Sequence, residues 1–304
     1  MKNLTFKPLE LSDKQSINPL LLEYIPQYTG SPYTFTHLYA WRELCEYEWA
    51  LSDQTLIVSV GKNKNTILQP FGAFPKNIQQ DIIAHTDTLE KPFEICCVTE
   101  EFIHSNPWFA AHFRIIEDRD SAMYVYYAPD LAELKGNKYH AKRNFINALE
   151  RDYAWKAEQM HPGHWNACTA LIDNFLSEKY SGDESTEEHE MALHEANAVK
   201  LALADLDTLE QRGIIITIED QVVAFSVYEA LTNDTAIIHF EKALRAYKGL
   251  HQLINRETAK IIVQEGFKYI NREEDMGNEG MRKAKLSYRP VMLQPLYLLV
   301  RSVC

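Results

Sequence analysis

Residues 214–241 restrict the fold more than any other part of the chain. Three β-branched segments, Ile214 to Glu219, Val222 to Ala230 and Thr235 to Glu241, are separated only by Asp220-Gln221 and Thr232-Asn233-Asp234. Strand-length runs joined by such short polar turns read as an antiparallel meander. One face of a meander needs cover, and the flanking segments supply helices. Ser185 with Glu188 forms a capping box that opens a long helix to about Arg212, ended by Gly213. A second helix is predicted from Leu250 to Gln264, stopping at Gly266. A strand from Phe267 to Arg272, a helix over 280–287 and a strand from Val291 to Val300 follow. Upstream, Trp165, Cys168, Leu171, Ile172, Phe175 and Leu176 recur at helical spacing. The order is that of an α+β fold, a mostly antiparallel sheet flanked by helices.

The first half repeats that order more weakly. A helix over 12–28 leads through the aromatic-rich turn Ser31 to Arg42 into a second helix. Thr55 to Val60 and Thr66 to Leu68 pair across Gly61-Lys62-Asn63. A helix over 75–90 follows Pro75, a favoured first-turn residue. Phe93 to Val98 is a strand, and Arg114 to Ile116 with Ala122 to Tyr127 suggests a hairpin. A chain of 304 residues exceeds what one core usually serves, and its texture changes near Pro129. Two domains are therefore expected, 1–130 and 131–304.

Composition removes several function classes. The formal net charge is −12, which argues against DNA binding and against nucleic-acid binding by the whole surface, leaving only a local basic patch. Five cysteines with no two-residue spacing suggest reduced thiols and a cytoplasmic location, with Cys96-Cys97 as buried strand thiols. Met1 to Glu10 has no apolar stretch of a signal peptide, and no run approaches a bilayer span. His189 and His194 flank Glu190 like a zinc-protease motif, but five residues apart they diverge by about 140° on a helix, so no metal is expected. Neither a Ser-centred elbow nor a Walker loop is present.

The chemistry-bearing residues fall in four places. Glu241 ends the third strand of the meander, where a carboxylate can act as a base; the plain alternative is an ion pair with Lys242 or Lys248. The turn Lys248-Gly249 precedes a helix N-terminus and could receive phosphate, yet His251 and Leu253 stand where small residues would let a phosphate approach. Lys138 and Lys142 extend the apolar stripe of Phe145, Ile146 and Leu149, with Arg143 beside them; they read as an anion site or as lysines at the core edge. Glu257 lies within about 20–40° of the Leu250, Ile254 and Ile261 face, as a site acid or a structural ion pair. The charged run from Arg272 to Lys285 contains Glu274, Arg282 and Lys285; the last two share a helix face and suit a second anion clamp.

Four phrases carry a resemblance. They are Tyr33-Thr34-Phe35 with Leu38-Tyr39 and Trp41-Arg42; Lys138-Tyr139-His140-Ala141-Lys142-Arg143-Asn144; His239-Phe240-Glu241-Lys242-Ala243 with Tyr247-Lys248-Gly249-Leu250-His251-Gln252 and Ile254-Asn255; and Tyr269 to Gly277 running on through Gly280-Met281-Arg282 to Pro290. Together they resemble the bacterial family related to the C-terminal domain of phosphatidylglycerol lysyltransferase. The resemblance implies two tandem GNAT-like (acyl-CoA N-acyltransferase fold) domains that exchange closing strands, similar in layout to the Fem-type aminoacyltransferases. It implies an acyl- or aminoacyl-transferase with aminoacyl-tRNA or acyl-CoA as donor and a small or lipid-like amine or hydroxyl acceptor. The alternatives are a non-catalytic binding protein that keeps the fold and an acyl-CoA-dependent N-acetyltransferase.

Overall fold

The computed structural model describes residues 4–24, 34–179 and 187–302. Tyr33, Ser185 and Cys304, and the end of the first predicted helix, lie outside the described residues. The chain divides into two compact units: Met1–Met123 with Glu274–Arg282 and Leu293–Cys304, and Tyr124–Glu273 with Lys283–Met292. Neither unit is one continuous span, unlike the expected division at residue 130: the first takes its closing strand from the far end of the chain, and Glu274–Arg282, which belongs to the first, interrupts the second.

In the first unit, Glu48–Ser52, Thr55–Val60 and Thr66–Leu68 form an antiparallel meander. Lys76–Thr86 is the following helix. Phe93–Val98 then returns parallel to Thr66–Leu68, and the closing strand, Met292–Arg301, pairs antiparallel to it through Leu299 opposite Ile95. Ile57, Ile67, Ile82, Phe93, Ile95, Phe109 and Leu299 make the core.

The second unit repeats this wiring. Helix α1 (His140–Asp152) precedes the strands β1 (Trp155–Gln159), β2 (Arg212–Ile218), β3 (Gln221–Ala230) and β4 (Thr235–Ala243), all antiparallel. Helix α2 (Leu250–Gln264) follows. Strand β5 (Tyr269–Asn271) returns parallel to β4. The closing strand is the end of Arg114–Tyr127, antiparallel to β5 with Tyr126 opposite Ile270. Tyr124, Tyr126, Tyr139, Ile146, Leu149, Ile216, Tyr228, Ile254 and Ile262 are among the core residues. A meander, a helix, a parallel strand and a borrowed antiparallel strand occur in both units, which makes the fold α+β with mostly antiparallel pairing in each unit.

Three sequence expectations change. Residues 114–127 form one 14-residue strand instead of a hairpin; Glu117 to Ser121 is polar because that stretch is partly exposed, not because it turns. Helix Glu187–Ala204 ends well before Gly213, which lies inside β2. A side chain there would crowd the Ser226 carbonyl and Met160 at 3.0 Å, so the glycine serves close strand packing. Strand β1 was not foreseen. Cys96 and Cys97 are half-buried, and Cys97 has a positive φ of 57°, so the pair does not alternate as regular strand thiols.

Candidate functional site

The strands β4 and β5 pair only at Thr235–Ile237 and Tyr269–Asn271. Strand β5 then stops, while β4 runs on to Ala243. The side of β4 beyond Ile237 thus faces side chains instead of a neighbouring strand. A β-bulge sits here as well: Phe240 opposes Val227 and Ile238 opposes Tyr228, leaving His239 as the extra residue. A bulge resets the alternation of faces. Ile238 and Glu241 consequently share a face although they are three apart, since their partners Tyr228 and Ser226 are two apart.

Glu241 is held from two sides. Arg272, the residue after β5, donates Nη2–H to Oε1 at 2.9 Å, and Asn255 of α2 donates Nδ2–H to Oε2 at 3.3 Å. The Arg272 guanidinium lies 5.4 Å from the Tyr288 ring centre and 5.8 Å from that of Tyr126, within cation–π range. Lys285 donates to the Arg272 carbonyl at 2.6 Å, fixing the end of β5, and the Tyr126 hydroxyl donates to the Lys285 carbonyl at 2.9 Å. The Tyr139 hydroxyl similarly donates to the Tyr288 carbonyl at 3.0 Å.

Lys142 completes the group. Its Nζ lies 4.2 Å from the Tyr288 ring centre and donates to the Ser287 hydroxyl at 2.7 Å. Among the described residues no carboxylate lies within ion-pair distance of it. Burial lowers its pKa, and the nearby positive Arg272 lowers it further. Two cations near one another, one of them without a counter-charge, make this a candidate site for an anion. His251 stands in the first turn of α2. Although the residue is exposed overall, desolvation of its ring lowers its pKa; Glu241 opposes this, and Arg245, Arg272 and Lys242 reinforce it.

Two polar atoms near Glu241 lack partners. The Ser226 hydroxyl, on the strand residue opposite Glu241, and Asn255 Oδ1 are both buried and without a hydrogen bond. Orphaned buried groups cost about 1–3 kcal/mol each, and here they border the carboxylate.

A separate polar cluster occupies the opposite side of the bulge. His239 is enclosed, with Nε2 2.7 Å from Glu229 and Nδ1 2.9 Å from Glu273. Burial alone would lower its pKa, but the two carboxylates outweigh this and push it up to about 10.

The other predicted residues have structural tasks. Lys138 pairs with Asp130 at 2.6 Å and is exposed. Arg143 donates to the carbonyls of Leu134 and Gly136 and caps the preceding helix. Glu257 is taken up by Arg256 at 2.7 Å and Lys260 at 2.9 Å, so the ion-pair alternative holds. Arg282 and Glu274 belong to the first unit. There Arg282 binds Asp275 at 2.7 Å and Asp120 at 2.6 Å, and Asp275 is fully buried and also bonded to Arg119. The arginine answers buried carboxylate charge and is no open clamp. Gly249 has φ 102°, and a methyl on it would collide with the Phe145 carbonyl; the glycine lets α1 and α2 pack closely. Lys248 is exposed, near the Phe145 ring. The residues missed by the sequence reading are Arg272, Asn255, Ser226, Tyr126 and Tyr288. Arg272 alone had a signal, as the charged residue closing a predicted strand. Among the described residues no group of metal-ligating side chains occurs.

A family model for the C-terminal region of phosphatidylglycerol lysyltransferase matches residues 25–300. A search of curated proteins gives no significant match. Among solved structures, a conserved protein of unknown function from Bacteroides thetaiotaomicron is 28% identical, with coverage of 98% of this chain and 100% of that one and a TM-score of 0.85. L-PGS from Bacillus licheniformis is 15% identical, covering 94% and 91%, at a TM-score of 0.60. A tandem GNAT protein from the clavulanic acid biosynthesis pathway is 10% identical, covering 99% and 98%, at 0.51. The fold is thus of the tandem GNAT-like kind.

Proposed function

The chain belongs to the family of the phosphatidylglycerol lysyltransferase C-terminal domain, and from that premise we propose that it is a transferase whose second unit moves an acyl or aminoacyl group to an amine or hydroxyl acceptor. The observation that carries this reading is the convergence of Lys142, Arg272 and Glu241 where β5 stops beside β4. Lys142 and the guanidinium N–H groups of Arg272 turned away from Glu241 hold the anionic part of the donor. The acceptor attacks the donor carbonyl; the new bond forms as the ester or thioester bond breaks, and the donor leaves as a ribose hydroxyl or thiol that takes up the proton passed on by Glu241. Glu241, with lone pairs beyond those used by Arg272 and Asn255, takes the acceptor proton. Aminoacyl-tRNA is the favoured donor, because His251, Leu253 and the close packing at Gly249 do not suit the pyrophosphate turn of a CoA enzyme.

The test is a transfer assay with labelled aminoacyl-tRNAs and, separately, acetyl-CoA, against phosphatidylglycerol vesicles and a set of soluble amines. Label should pass from an aminoacyl-tRNA to an acceptor and be lost in Lys142→Met, with the fold retained. Absence of transfer from every donor would leave the binding-protein alternative standing. Calorimetry showing acetyl-CoA binding at micromolar Kd, about −8 kcal/mol, would reverse the choice of donor.

A further inference from the structure

Strand β5 ends at Asn271, but the chain keeps to the closing strand for two residues more. The Arg272 N–H donates to the Tyr124 carbonyl at 2.9 Å, and the Tyr124 N–H donates to the Glu273 carbonyl at 3.2 Å. The ladder to β4 has already ended at Asn271. Two side-chain pairs span the opening that results. On one side Arg272 reaches Glu241 of β4 at 2.9 Å; on the other Glu273 reaches His239 Nδ1, also of β4, at 2.9 Å. The two pairs run in opposite senses, since β4 supplies the carboxylate of one and the imidazole of the other. Glu273 is set in place by its own backbone: its φ is 56°, and its N–H donates at 2.7 Å to Oδ1 of Asn271, which is fully buried. His239 is anchored from β3, where Glu229 lies 2.7 Å from Nε2, and its side chain is only 2% exposed. Each ring nitrogen faces a carboxylate, so each carries a proton and the ring is an imidazolium. Against the burial that lowers it, the two carboxylates push its pKa up to about 10, which keeps the ring charged at neutral pH.

A buried ion pair is weak evidence for stability, because desolvation offsets much of the attraction; its better use is to fix one geometry. The geometry at stake here is the distance of residues 272 and 273 from β4. Arg272 needs such a constraint. The Tyr126 and Tyr288 rings, 5.8 and 5.4 Å from its guanidinium, give it a cushion but little direction. With the Glu241–Arg272 pair spanning the opening without its counterpart, the base is drawn to the arginine as readily as the arginine to the base. We propose that His239 is a positioning residue: through Glu273 it sets the end of β5 at a fixed distance from β4, and so aims Arg272 at Glu241 and at the anionic part of the donor. His239 touches none of the reacting atoms. The kinetic consequence rests on the transfer reading above; the placement of Arg272 does not.

The experiment has two arms on the intact chain. In the first, the protein carries isotope-labelled arginine, and the Arg272 Nε–H signal is assigned by its loss in Arg272→Lys. Its exchange with water should quicken about tenfold or more in His239→Asn and in Glu273→Gln. It should hold its rate in Glu229→Gln, which leaves the His239–Glu273 bond in place. Glu273→Gln keeps the size of the side chain and a hydrogen-bond acceptor, so it serves where His239→Asn does not fold. In the second arm, the transfer assay above, kcat/KM should fall about tenfold or more in His239→Asn and Glu273→Gln, and less than about twofold in Glu229→Gln. In an Arg272→Lys background, Glu273→Gln should lower kcat/KM hardly any further, because a residue that acts through Arg272 then has nothing to position. A purely structural pair would behave otherwise: Glu229→Gln and Glu273→Gln would lower transfer alike, and the loss from Glu273→Gln would not depend on residue 272. That result overturns the proposal, as does an Arg272 exchange rate unchanged in both His239→Asn and Glu273→Gln. Where no donor supports transfer, the exchange arm alone decides, so failure of the transfer reading and failure of this one are read apart.

Discussion

Arg272 is the residue on which the candidate site turns. It closes β5, contacts two tyrosine rings and holds Glu241. With both side chains of the pair largely buried, Arg272→Ala strands a carboxylate and should cost about 3–5 kcal/mol in urea unfolding; Arg272→Ala with Glu241→Ala should recover part of that loss. Ser226→Ala should do the opposite. It removes a buried hydroxyl without a partner, so stability should hold or rise by up to about 1 kcal/mol; a loss of more than that would mean the hydroxyl is satisfied. His239 gives a pH signature. Its pKa is raised in the folded chain, so the stabilisation from its charged form is complete below the unfolded value near 6.5 and is lost as pH rises towards 10. Unfolding free energy should fall across that window by up to about 1.4 kcal/mol per pH unit, and Glu229→Gln with Glu273→Gln should flatten the fall. Neither of these two partnerships is legible in the sequence. Glu241 and Arg272 are 31 positions apart, and the bulge that sets the faces of His239 and Glu241 leaves no mark in a run of strand residues.

At the level of elements, the sequence was clearest where punctuation and periodicity agreed. Helix α2 spans Leu250–Gln264 as expected, because Gly249 and Gly266 bracket a continuous apolar face. Strand β1 escaped notice because four of its five residues are exposed and show no alternation. The strand Arg114–Tyr127 was split in two because Glu117-Asp118-Arg119-Asp120-Ser121 has the composition of a turn. Local charge also misled: Lys138 and Arg143 seemed to continue the Lys142 site, but Asp130 and two carbonyls next to them in the chain take them up. The joint between α1 and α2 can be tested directly. Gly249→Ala forces a side chain into a left-handed conformation, costing about 1–2 kcal/mol, and drives it against the Phe145 carbonyl. The thermal midpoint should fall by several degrees, whereas Gly266→Ala, which meets nothing within 4 Å, should show the backbone cost alone.

Across the whole molecule, a net charge of −12 means that the anionic donor proposed above would be attracted only by local cations, so its association should be slow and sensitive to Lys142 in place of the general surface. The borrowed strands have a different consequence. Met292–Arg301 pairs with Phe93–Val98, about two hundred positions earlier in the chain (as Leu299 opposite Ile95). On the ribosome, the first unit cannot close when its own meander emerges; it must wait, with Phe93–Val98 as an open sheet edge, until translation has passed the second unit. The second unit, whose borrowed strand ends at Tyr127, has all its strands once Asn271 is made and awaits only Lys283–Met292. Truncation before Met292 should accordingly expose the first unit to protease while the second stays protected, a reversal of the order in which the two are synthesised. The part of the protein made first would be the last to become native.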